Sequence, residues 1–210
     1  LPKLLTAFGT TKLRDFDEGL LHAYALRTYP TAKNSSRNQL VINPIVTVLK
    51  AAARNKLCAR PEIRRLPDDS DIVRAPSHAV LVDLLDRCEH DELRALVTLM
   101  STTGVRCGEA LRIERAQVDA ERNEIVLRPN QTKNGKGGIL ALTGALTQML
   151  LALPVRGSRL FKWASTTGVN NTLSDACRKL GIELLSAHRV GRHFFAERML
   201  ALGHSAYDVA

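Results

Sequence analysis

A charged, proline-studded stretch divides this chain and limits what it can fold into. Over residues 59–76, Pro61, Pro67 and Pro76 stand among charged residues with little apolar periodicity. Proline removes a backbone donor, and dense charge keeps a segment out of a core. A chain broken in this way folds as two bodies: a first domain over residues 1–60, a linker over 61–76 and a second domain over 77–210.

The N-terminal side reads as helical. Phe16, Leu20, Leu21, Tyr24 and Leu26 fall mostly at helical spacing within residues 15–28, and Pro30 follows. Asn43 before Pro44 predicts an N-cap with proline at the first helical position, and Ile45, Val48, Leu49 and Ala52 carry the apolar face to about residue 57. Beyond the linker, Ser77 predicts the N-cap of a helix bearing Val80, Leu81, Leu84 and Leu85. Further helices are predicted over 91–102, 144–153, 172–180 and 190–202, with Gly203 at the position of a C-terminal glycine. Residues 124–127 and 138–142 flank the turn-rich Asn134-Gly135-Lys136-Gly137-Gly138, which predicts a β-hairpin. The predicted fold class is mostly α (α+β): a helical N-terminal domain and a mainly helical second domain with one small antiparallel sheet.

Composition narrows the function. The formal charge is +9 and the pI about 9.8, with an excess of Lys and Arg on both sides of the linker, which favours a polyanionic partner. No apolar stretch approaches a bilayer span and no leader pattern is present, so the expected location is cytoplasmic, in a bacterium or encoded by a phage. Cys58, Cys88, Cys107 and Cys177 lack metal-ligand spacing and read as reduced thiols; neither metal nor cofactor is expected.

Three segments carry chemistry. In Thr103-Gly104-Val105-Arg106-Cys107-Gly108-Glu109-Ala110-Leu111, a glycine turn sets Arg106 at a helix N-terminus, where dipole and guanidinium both favour an anion. Glu109 reads as a capping or Arg-orienting group. Thr132-Lys133-Asn134-Gly135-Lys136 places two lysines on the hairpin tip. His188, Arg189, Arg192 and His193 crowd basic groups onto the start of an apolar helix carrying Phe194, Phe195, Met199 and Leu200. Singly, each could be a solvated surface feature.

In their order, the three segments resemble the tyrosine recombinase, or phage integrase, family: a T-G-x-R-x-G-E-x-L box at residues 103–111, a T-K-x-x-K hairpin at 132–136 and an R-H-x-F-A box at 192–196. Residues 15–57 are similar to the family's core-binding domain, and 77–210 to its catalytic domain. The resemblance implies site-specific recombination or integration of mobile DNA, in which a tyrosine attacks a phosphodiester to leave a 3′-phosphotyrosyl link. It implies Arg106 and Arg192 as donors to the phosphate oxygens, Lys133 as the acid that protonates the leaving 5′-oxygen, and Lys136, Arg189 and His193 as further phosphate contacts. The implied partner is double-stranded DNA, held by four protomers in the full-length protein; the 210-residue chain is expected to be a monomer.

Two departures stand out. The family's H-x-x-R would place its histidine at position 189, which is Arg189, while His188 lies one residue earlier. Either a local irregularity, which Gly191 would tolerate, delivers His188, or Arg189 replaces it; the first is favoured. The family's nucleophile lies well beyond the second arginine, whereas Tyr207 follows Arg192 by only 15 residues and reads as packing. The nucleophile is therefore expected beyond Ala210, and the chain as given is expected to bind DNA without cleaving it. A non-catalytic DNA-binding protein that keeps the fold is the alternative reading, with a type IB topoisomerase a third.

Overall fold

Asp17 accepts a hydrogen bond from the Leu20 N–H at 2.7 Å and so starts α2 (Glu18–Thr28), three residues after the expected onset, because its carboxylate satisfies a donor that the helix itself cannot. In this computed structural model, which describes residues 2–69 and 73–205, the chain forms two units, Leu1–Ile72 and Val73–Ala210. The first also contains α1 (Pro2–Phe8), α3 (Asn34–Arg37) and α4 (Asn43–Arg54). Leu4, Phe8, Leu21, Ala25, Val41, Ile42 and Leu66 form its core, with the Phe8 ring against Tyr24 at 4.7 Å.

Asn43 is not an N-cap. The helix has already begun at Asn34 and runs through a π turn, Asn38–Ile42, straight into α4. Proline inside a regular helix collides with the carbonyl four residues back and strips it of its donor; one extra residue in the preceding turn gives that ring room. The Asn43 N–H bonds the Asn38 carbonyl five residues back. Residues 31–38 are a polar stretch in the sequence, with no apolar face to mark a helix. Arg37 instead donates to the Tyr29 and Pro30 carbonyls at 3.0 and 2.7 Å, satisfying acceptors where α2 has ended.

The proline-rich stretch is partly tied down within the first unit. Asn38 donates to the Leu66 carbonyl at 2.8 Å and accepts from the Leu66 N–H at 2.9 Å, and Leu66 is buried. The Arg64 N–H donates to Glu18 at 3.0 Å.

The second unit is built around α6 (Asp91–Thr103). Its Leu93, Ala95, Leu96, Val97, Leu99 and Met100 are buried, each large side chain contributing about 1.5–3 kcal/mol. Around α6 lie α5 (His78–Arg87), capped by Ser77, together with α7 (Cys107–Ala110), α8 (Gly144–Leu151), α9 (Thr166–Leu180) and α10 (Phe194–Ala201). α9 starts at Thr166 rather than near residue 172: Ser165 caps it, and the polar run Thr166-Thr167-Gly168 masked a face on which Val169, Leu173 and Cys177 are buried at four-residue spacing. β1 (Val118–Asp119), β2 (Glu124–Leu127) and β3 (Gly138–Ala141) form an antiparallel sheet in that order, Val126 opposite Ile139. Ile125 and Leu127 face the core while Val126 faces out, the period-two alternation of a half-buried strand. The fold class matches the expectation: mostly helical, with one small antiparallel sheet. Among the described residues no helix is long and apolar enough to cross a membrane.

Candidate active site

α6 stops at Gly104, which takes φ +69°, a left-handed conformation that costs other residues about 1–2 kcal/mol. Two residues later Arg106 becomes the N-cap of α7. Glu109, in the first turn, accepts from the Arg106 N–H at 3.3 Å and from its Nη1 at 3.1 Å. This is one half of a capping box turned to a second purpose, because the same carboxylate also orients the guanidinium. The Arg106 side chain stays 40% exposed, whereas that of Glu109 is nearly buried.

Glu109 reaches further. Its Oε1 accepts from the Lys133 backbone N–H at 3.0 Å, so one carboxylate holds both the arginine and the start of the hairpin tip. Burial alone would push this carboxyl up; the N–H groups of Lys133 and Arg106 and the Arg106 guanidinium outweigh it and hold it below the ordinary range. Thr132 Oγ1 closes the tip by donating to the Lys136 carbonyl at 2.6 Å, leaving the Lys133 and Lys136 side chains exposed.

The third basic segment contains the irregularity. Residues Arg189–His193 form a π turn ahead of α10. The His188 and His193 rings meet edge-on at 4.3 Å. Burial first, then the neighbouring His193, Arg192 and Arg106, keep the His188 pKa below that of an ordinary histidine. The charges of Arg106, Arg192 and His193 thus all act on His188. Arg189 is engaged elsewhere: its guanidinium donates to the Arg74 carbonyl at 2.9 Å, to the Leu184 carbonyl at 3.0 Å and to Glu183 at 3.0 Å. Ahead of the turn, the Ala187 N–H donates to Asn170 Oδ1 of α9 at 2.8 Å.

Two close approaches lock these elements together. A Cβ on Gly191 would lie 2.9 Å from Met100 Cβ, and one on Gly104 would overlap the Phe195 ring. Tyr207 lies outside the described residues. Gln117 and Gln131, buried beneath the hairpin, escaped the sequence reading; the spacings Glu114-x-x-Gln117 and Arg128-x-x-Gln131 were the available signal, weak because the cap positions hold no Ser or Thr.

Residues 77–210 match the model of the Phage integrase family. The chain belongs to that family. The resemblance carried by the three motifs is thus borne out. The curated family relatives include tyrosine recombinase XerA of Saccharolobus solfataricus, 28% identical over 147 residues, which are 68% of this chain and 47% of that protein. The chain thus spans about half the length of that relative. Among solved structures, the catalytic domain of bacteriophage HP1 integrase is 25% identical with a TM-score of 0.50, covering 65% of this chain and 77% of that one. The Tn1549 transposon integrase, solved in complex with transposon right end DNA, is similar in fold at 14% identity: TM-score 0.65, 96% of this chain and 76% of that one.

Proposed function

We propose that this chain is the DNA-holding and phosphate-activating part of a site-specific recombinase of mobile DNA. The observation that supports the reading is the link Glu109 makes between the Arg106 guanidinium and the backbone of Lys133, together with a His188 that packs on His193 and feels the charges of Arg106 and Arg192. In the proposed reaction a tyrosine oxygen attacks phosphorus and loses its proton to His188, which burial first, and then the cations around it, keep in the neutral form that can accept one. Arg106 and Arg192 donate to the non-bridging oxygens as charge gathers there, without ever losing their own charge. The bond to the 5′-oxygen breaks, and Lys133 gives that oxygen its proton. The bond energy stays in the phosphotyrosyl link, to be recovered when another strand's 5′-hydroxyl attacks.

His188, rather than Arg189, is the pocket histidine in this reading, and Arg189 braces the turn. His193 and Lys136 are proposed as additional phosphate contacts, and the basic first unit as a second DNA-contacting body joined through the segment ending near residue 76. We further propose that the 210-residue chain is a monomer that binds duplex DNA in the cytoplasm and leaves it uncut, the full-length protein acting as four protomers on two duplexes.

The test uses the full-length protein on a suicide substrate whose cleaved strand cannot be religated. Covalent protein–DNA product should accumulate, and Arg106→Ala or Lys133→Ala should reduce it by about 10²-fold or more. Product formation unchanged by either substitution would overturn the assigned roles, and DNA binding with no covalent product from the unaltered full-length protein would favour a non-catalytic binder.

A further inference from the structure

Beneath the hairpin lies a closed circuit of amides. Gln117 Nε2 donates to Gln131 Oε1 at 2.8 Å, and Gln131 Nε2 donates back to Gln117 Oε1 at 2.8 Å. The remaining capacity of both side chains is spent on backbone. Gln117 Nε2 also donates to the Val126 carbonyl, and its Oε1 accepts from the Glu114 N–H at 2.9 Å. Gln131 Nε2 also donates to the Arg112 carbonyl at 2.7 Å, and its Oε1 accepts from the Arg128 N–H at 2.8 Å. Each NH₂ uses both hydrogens and each oxygen accepts twice, so neither amide can be turned over without losing bonds. Both residues are buried. Arg112 Nη1 adds a bond to the Gln131 carbonyl at 3.3 Å, fixing that residue by backbone as well as by side chain.

A buried polar network with every member satisfied rigidifies its surroundings; one with a member missing leaves groups stranded at about 1–3 kcal/mol each. What this network holds is the chain just before Lys133. Gln131 ends the 3-10 turn Pro129–Gln131, Thr132 begins the tip, and the Lys133 N–H then meets Glu109. The tip itself is exposed and anchored by few bonds, so its starting point depends on the two anchors beside it: Glu109 on one side and the amide pair on the other.

We propose that the Gln117–Gln131 amide pair positions Lys133, so that its ammonium meets the leaving oxygen. This rests on the role of Lys133 proposed above. Gln117 and Gln131 are positioning residues; in this reading neither touches DNA.

Two measurements separate this inference from the reading it rests on. The first is hydrogen exchange at the Lys133 amide in the 210-residue chain, which requires no nucleophile. Gln131→Met, and separately Gln117→Met, should speed exchange at residue 133 about tenfold or more while amides in the middle of α6 keep their protection. Unchanged exchange at 133 in both variants would overturn the positioning role. Should Gln131→Met lose protection throughout the second unit, Gln117→Met, which replaces the residue further from the tip, decides alone. The second compares full-length protein on a phosphodiester substrate and on one whose 5′-bridging oxygen is sulfur, a leaving atom that needs no acid. Lys133→Ala should be slow on the first and largely restored on the second; if it is not, the acid role fails. Both glutamine variants should be about tenfold slow on the oxygen substrate and within about twofold of normal on the sulfur substrate. Equal slowing on both substrates would mark the pair as general scaffolding and overturn the inference.

Discussion

The Phe195 ring occupies the space that a Cβ on Gly104 would need, so the turn presenting Arg106 and the helix following Arg192 touch with nothing between them. Gly104→Ala therefore meets two penalties, a strained φ and an overlap with an aromatic ring. The second unit should lose about 2–5 kcal/mol, read from urea unfolding. Phe195→Leu added to that variant should recover part of the loss. If the double variant is no better than the single, the ring is not the obstacle.

Glu109 gives a pH signature. Its folded carboxyl titrates below the ordinary range, so its contribution is complete above the unfolded value, near about 4.3, and is lost as pH falls through the lowered folded value. Glu109→Gln should be less stable than the native protein by about 1–3 kcal/mol at neutral pH, with the gap closing in acid. Parallel denaturant curves at neutral and acid pH check this; a gap that stays constant would contradict the assignment.

His188 gives the opposite trend on binding. Free, it is biased to the neutral form by burial and by the cations around it. A phosphate entering among those cations would offset part of their effect and raise the pKa again, leaving the ring neutral at neutral pH, so DNA binding should take up a proton and tighten only as pH falls into the acid side of the histidine range, by at most about tenfold per pH unit. Fluorescence-anisotropy titrations at several pH values should show this slope in the native chain and a smaller one in His188→Gln.

Arg189 and Arg192 should separate in salt. Arg192→Ala is expected to lower the slope of log affinity against log salt by about 1, the mark of a lost phosphate contact. Arg189→Ala should leave that slope unchanged and destabilise the second unit by about 1–3 kcal/mol through its bonds to Glu183, Leu184 and Arg74. Arg189→Lys should not restore stability, since an ammonium cannot span three separated acceptors. A reduced salt slope in Arg189→Ala would return that residue to the pocket.

Much of this molecule is legible in its sequence. The hairpin showed through its glycines, and α5 through Ser77 and the spacing of Val80, Leu81, Leu84 and Leu85, because those signals are local. The three basic segments pointed to one another only through their order along the chain. Asn43 misled because an Asn-Pro pair looks the same at a helix start and behind a π turn; the difference lies in Asn34 to Asn38, polar residues whose partners sit just past the end of α2 and around Leu66. Ile63 and Leu66 were hidden by the charges beside them. Gln117 and Gln131 are two amides 14 residues apart whose pairing exists only once the sheet has formed.

The π turn at Arg189–His193 changes what kind of difference separates this chain from a fixed H-x-x-R pattern. Aligned letter by letter, position 189 reads as a histidine exchanged for arginine. A helix that widens for one turn can take in an additional residue while everything after it keeps its facing, so His188 and Arg192 are separated by one more residue along the chain than the pattern allows, yet the charge of Arg192 still acts on His188. In that reading the mismatch is an inserted residue held in a widened turn, and not a histidine exchanged for an arginine.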